Sequence, residues 1–119
     1  MPSTAKKPRI GAHTPTTGGM AKRSIAYAET IGAEAIQVFT SNPRGWAMPD
    51  TNHEADAIFR EKATALDIET YVHAPFLINL GSPTEGTYKN SLASTEFSLK
   101  RGKETVSYTH LTLPTNREV

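Results

Sequence analysis

The feature that most constrains the fold is a rhythm. A short strand-like segment is followed by a helix-length amphipathic one, three times over. "PRIGAHT" is apolar and ends at His13, "AEAIQVFT" is rich in β-branched and aromatic residues, and "IETYVH" ends at His73. Between the first two, "MAKRSIAYAETIG" carries Ala21, Ile25, Ala28 and Ile31 at helical spacing, with Gly32 placed to cap its C-terminus. Thr51 and Glu54 have capping-box spacing, and Ala55, Phe59, Ala63 and Leu66 mark one face of a second helix. Tyr88, Leu92, Thr95 and Leu99 mark one face of a third, predicted to end near Gly102.

The order β-α-β-α-β-α predicts an α/β fold with parallel strands joined by right-handed crossovers. In such folds the strand C-termini and the loops after them form the active face. His13, segment 40–46 and His73 all fall there. The 119 residues suit one small domain or about half of a larger one.

Composition narrows the chemistry. There is no cysteine, so disulfides and thiolate metal sites are excluded, and any metal must be held by His, Asp or Glu. A net charge of +1 does not by itself call for nucleic acid. The basic clusters Lys6, Lys7, Arg9 and Lys100, Arg101, Lys103 read as solvated patches. No apolar run approaches the roughly 20 residues that span a bilayer, and no signal-peptide core follows "MPSTAKKPR". The expectation is a soluble, cytoplasmic protein with no membrane partner.

A histidine at a strand end has two readings. It can cap a loop as a satisfied polar group, or it can bind a metal or move a proton. His13 and His73 share one face, which strengthens the second reading. The loop "TSNPRGW" can be a plain Asn-Pro turn covered by Trp46. It can also be a protruding finger in which Arg44 meets phosphate, Asn42 hydrogen-bonds and Trp46 braces or stacks. "TTGGMAK" could present helix N-terminal amides to a phosphate, although two glycines are a low-specificity signal.

These segments together resemble a known family. "IGAHTPTTGGMAKRSIAYAETIGAEAIQVFTSNPRGW", followed by "VHAPFLINLGSP", is similar to the N-terminal part of endonuclease IV, the zinc-dependent apurinic/apyrimidinic endonucleases. The resemblance covers roughly residues 9 to 104. It implies a (β/α)8 TIM barrel with a three-zinc site at the strand C-termini. It also implies a monomeric enzyme that cuts double-stranded DNA 5′ to an abasic site in base excision repair. By this resemblance His73 is a zinc ligand. Asn42, Arg44, Trp46 and Phe76 belong to the DNA-contacting loops, and His13 lies near the site without usually ligating. The family commonly has tyrosine where this chain has Phe76, which removes one hydroxyl from the expected DNA contact. Zinc in the barrel mouth would also account for a histidine at the end of the third strand.

A closed barrel needs eight strands and typically about 250 residues. Residues 1–104 are therefore expected to form the first three βα units of an incomplete barrel, inactive alone because the other zinc ligands lie on later strands. Two alternatives stand beside this reading: a piece of a sugar isomerase or epimerase barrel, and a non-enzymatic βα binding module. The "SNPRGW" finger favours the nuclease, because a small sugar needs no protruding Asn/Arg loop. Residues 105–119, with four threonines in "TVSYTHLTLPTNREV", differ in character. They are expected to be a non-native tail that adds at most a false strand beside the third, with His110 ligating nothing.

Overall fold

The computed structural model describes residues 7–105 and the backbone of Leu111–Thr112. Three parallel strands, β1 (Gly11–His13), β2 (Ala35–Phe39) and β3 (Glu69–His73), lie in sequence order. A π-turn, Met20–Ser24, runs directly into α1 (Ile25–Ile31), and α2 (His53–Ala65) and α3 (Glu85–Thr105) follow β2 and β3. Leu111–Thr112 adds as β4, parallel to β3, opposite Val72 and His73. This is the outer edge on which an added strand was expected. His110 lies outside the described residues.

Strand alternation sorts the sheet into two faces. Ile36 and Val38 of β2, with Thr70 and Val72 of β3, are buried on the helix side. The core forms there as Ile25, Ala28, Phe59, Ala63 and Ile68 close over Ile36 and Val38. Phe59 and Ala63 are the predicted face of α2, whereas Leu66 stands outside it as the exposed C-cap residue. The opposite face carries Gln37 and Phe39 of β2, and Tyr71 and His73 of β3, all half-buried. In a closed barrel this face would be the lumen. Gly11 lets β1 approach β2 closely, because a Cβ there would sit 1.5 Å from the Ala35 carbonyl oxygen.

Gly32 ends α1 as predicted. It adopts a left-handed conformation (φ 68°), and its N–H donates to the carbonyls of Ala28 and Glu29. Of the predicted α1 stripe, Ile25 and Ala28 are buried while Ile31 is exposed. The second helix is capped differently from expectation. Asn52, and not Thr51, is the N-cap, and its side-chain oxygen accepts from the Ala55 N–H at 3.0 Å. A one-residue shift moves the capping oxygen from a hydroxyl to an amide, and both serve this role.

α3 departs further. Tyr88, Leu92 and Leu99, the predicted apolar face, are exposed, and Ser91, Ser94, Ser98, Arg101, Gly102 and Thr105 are buried. The helix also runs three residues past Gly102. Two interactions fix this rotation. The Ser91 hydroxyl accepts from the Asn79 N–H at 2.8 Å, and the Arg101 guanidinium forms a buried two-pronged pair with Asp56 of α2. Arg101 therefore does not belong to a solvated basic patch. Leaving either partner of such a pair alone in the interior costs about 3–5 kcal/mol. The small serines let α3 lie close against α2 and β3.

Candidate functional site

The C-terminal ends of the strands bring four rings together. Phe39 and His73 sit opposite each other across β2 and β3, and their ring centroids are 5.0 Å apart. The His13 ring lies 4.4 Å from Phe39 and 6.3 Å from His73. Phe76, in the loop after β3, closes the group at 5.2 Å from Phe39 and 5.9 Å from His73. The sequence placed both histidines and Phe76 at this mouth. It did not single out Phe39, although its position at the end of an alternating strand was a usable signal.

The two histidines differ in what holds them. His13 Nδ1 lies 3.4 Å from Gln37 Oε1, a loose contact on an exposed residue. His73 Nδ1 lies 2.6 Å from the carbonyl oxygen of Ala74, which can only accept. In the neutral ring this contact places the proton on Nδ1 and the lone pair on Nε2. An imidazole that ligates through Nε2 takes this tautomer, with Nδ1 tied to a carbonyl or carboxylate. The donor chemistry at His73 therefore fits a zinc ligand. Ala74 and Pro75 behind it are fully buried, so the carbonyl is held on a packed segment.

The finger stands beside this group. The Asn42 side-chain oxygen accepts from the Arg44 N–H at 3.0 Å, and the Gly45 N–H donates to the Asn42 carbonyl at 3.2 Å. Asn42 thus shapes the turn with its own side chain. Asn42 and Arg44 are exposed and Trp46 is half-buried. The Phe76 N–H donates to the Pro43 carbonyl at 2.8 Å, which ties the finger to the loop after His73. A cleft of about 540 Å³, lined in part by Thr16, Thr17, Gly19, Thr40 and Ser41, lies between the glycine loop and the finger.

A second set of possible ligands was not anticipated. Among the described residues, ligand atoms of His53, Asp56 and Glu104 lie within 4.8 Å of one another between α2 and α3. Both Asp56 oxygens already face Arg101, and Glu104 lies 3.0 Å from His53 Nδ1. Arg60, Lys100 and Lys103 surround the same cleft. The group is better satisfied as an interhelical ion network than as a cation site.

The geometry has close counterparts. The probable endonuclease 4 of Streptomyces avermitilis is 48% identical over 103 residues, which make up 87% of this chain and 33% of that protein. The corresponding protein of Streptomyces coelicolor is 46% identical over 103 residues, covering 85% of this chain and 35% of its own length. The crystal structure of endonuclease IV from Thermus thermophilus matches with a TM-score of 0.79 at 27% identity, over 89% of this chain and 39% of that one. No protein-family model matches the chain.

The chain belongs to the endonuclease IV family. It spans about a third of the length of the curated relatives it matches. Its parallel strands and helices are part of the endonuclease IV barrel, and the four-ring group stands at the strand ends of that part. Among the described residues, no helix is long and apolar enough to cross a membrane.

Proposed function

We propose that this chain supplies the first zinc ligand and the DNA finger of an apurinic/apyrimidinic endonuclease. The whole protein would cleave duplex DNA 5′ to an abasic site in base excision repair. The observation that carries the reading is the Nδ1–H···O=C bond from His73 to Ala74, which presents Nε2 at the mouth as a ligand. When bound, zinc supplies hydroxide near neutral pH and stabilises charge on the phosphate and the leaving oxygen. This chain's own residues prepare the surroundings. Phe39 and Phe76 wall the histidine and exclude water from one side, and Phe76 offers an exposed face to a base or sugar. Arg44, on its Asn42-braced turn, meets the DNA phosphates as a charge-assisted donor. The loop carrying Arg44 and the loop carrying Phe76 act as one unit through the Pro43 carbonyl.

The test uses a chimaera in which residues 7–105 replace the matching segment of the Streptomyces avermitilis relative. It should hold zinc and cut a duplex bearing one abasic site, and His73→Ala should lower zinc content and abolish most cleavage. Unchanged zinc stoichiometry and rate in that variant would reject the assignment.

A further inference from the structure

We infer that Phe39 is a positioning residue: its ring sets the orientation, and through it the tautomer, of the His73 imidazole. The inference deepens the metal reading above and rests on it for its functional meaning. Its structural content stands on the ring geometry alone. Phe39 and His73 each touch all three other rings of the mouth, and Phe39 makes the shortest of the contacts. It sits directly across the parallel pair from His73, with the planes tilted by 55°. Phe76 meets His73 nearly edge-on at 80°, from the following loop. The imidazole is thus bounded by two phenyl rings and its own backbone.

That enclosure matters because of one bond. The His73 Nδ1–H reaches the carbonyl of the very next residue, a contact that a modest rotation of the ring would break. A ring flip would put a carbon where Nδ1 now stands. Phe39 occupies the space on the β2 side into which the imidazole would otherwise turn. The same ring also faces His13, the exposed histidine held only by the 3.4 Å contact with Gln37. Without the phenyl wall, His73 could turn toward His13 and exchange a fixed carbonyl partner for a loose imidazole one. The interaction is packing with a shape requirement. A leucine would fill much of the volume but would not present a flat wall, whereas a tyrosine would.

The experiment follows the imidazole nitrogens of the chimaera, prepared free of metal, by 15N NMR, before and during titration with zinc chloride. The chimaera without further substitution should show His73 predominantly as the Nδ1–H tautomer, with zinc perturbing Nε2. Phe39→Leu should shift the tautomer ratio toward Nε2–H and weaken the zinc response about 10-fold, the scale of a lost outer-sphere partner. Phe39→Tyr should restore both. Amide spectra of each variant report packing separately, so a loss of fold in Phe39→Leu would appear there, and Phe39→Tyr still decides the point. If Phe39→Leu keeps the unsubstituted chimaera's tautomer and zinc midpoint while folded, the positioning role is overturned. The same result follows if Phe39→Tyr behaves like a leucine. If the tautomer responds to Phe39 but zinc perturbs Nε2 in no variant, positioning holds and the metal reading of His73 falls.

Discussion

The two ends of the sheet are built on opposite terms. At the strand N-termini, charge is spent internally. Arg9 donates to the Asp67 carbonyl at 2.6 Å and to its carboxylate at 3.1 Å, and lies 3.1 Å from Glu69. Tyr71 donates to the other Glu69 oxygen at 2.7 Å, and Glu34 accepts from the Ile10 N–H. Asp67, whose φ of 55° is unusual for a residue with a side chain, is held in that turn by Arg9. At the strand C-termini two functional-type side chains are instead left open to the mouth and the solvent. His73 offers Nε2 to the mouth, and Arg44 is exposed on a braced turn. In barrels of this kind the first end serves stability and the second serves chemistry. The contrast shows which polar residues a mutation should read out as folding and which as function.

The sharpest way to break the comparison is His73→Ala in the chimaera. Cleavage of abasic duplex should fall by about 10³-fold, in line with the several kcal/mol a metal contributes to the transition state. The thermal midpoint should barely move. A large drop in melting temperature with retained cleavage would place His73 among the structural residues and erase the distinction between the ends. The counterpart is Arg9→Ala. It should cost about 1–2 kcal/mol of stability, because charged hydrogen bonds are lost but the group is partly exposed to water. Denaturant melts measure this, and cleavage per folded molecule should stay within twofold. A selective loss of cleavage would mean that the two ends are coupled.

How much of this was legible depended on what decides each element. Strand periodicity and glycine punctuation are local signals, so β2, β3 and the Gly32 cap follow directly from the sequence, and with them the shared face of His13 and His73. The α3 rotation does not. Tyr88, Leu92 and Leu99 form an apolar stripe by spacing, but a buried ion pair between residues 45 positions apart turns the helix the other way. Nothing in the pattern of one helix reveals that Arg101 will find Asp56 on another. The Nδ1 bond of His73 was equally invisible, because a tautomer is set by where a neighbouring carbonyl points. The resemblance to endonuclease IV points to His73 as a ligand, and the Nδ1 bond to Ala74 is the geometric support for that proposal.

A smaller effect separates binding from chemistry at the functional end itself. Arg44→Ala in the chimaera should weaken binding to abasic duplex about 10-fold at low salt and reduce the logarithmic salt slope by about 0.9, the signature of one phosphate contact. Turnover at saturating DNA should change little. If binding held while turnover collapsed, Arg44 would belong to the chemical step and the finger would need another role. Because the Pro43 carbonyl links this loop to Phe76, the finger's backbone should stay in place when the guanidinium is removed.

The smallest expected effect concerns the tail. Leu111–Thr112 pairs with β3 at Val72 and His73, directly beside the candidate ligand, so a native fourth strand and an incidental one make different demands there. A native strand should be needed to hold β3. An incidental one covers an open parallel edge with two residues, and edges accept almost any extended partner. The sequence "THLTLPTN" lacks the histidine-bearing loop that the resemblance leads one to expect after a fourth strand. Deleting residues 106–119 should therefore shift the thermal midpoint by only about 1–2 °C and leave the His73 tautomer unchanged. Amide exchange should speed up at the one of Val72 and His73 whose N–H faces the outer edge, because successive strand residues bond to opposite sides. If the deletion instead unfolds the chain or moves the tautomer, the tail is an integral strand. In that case His110 becomes the next residue to test for zinc.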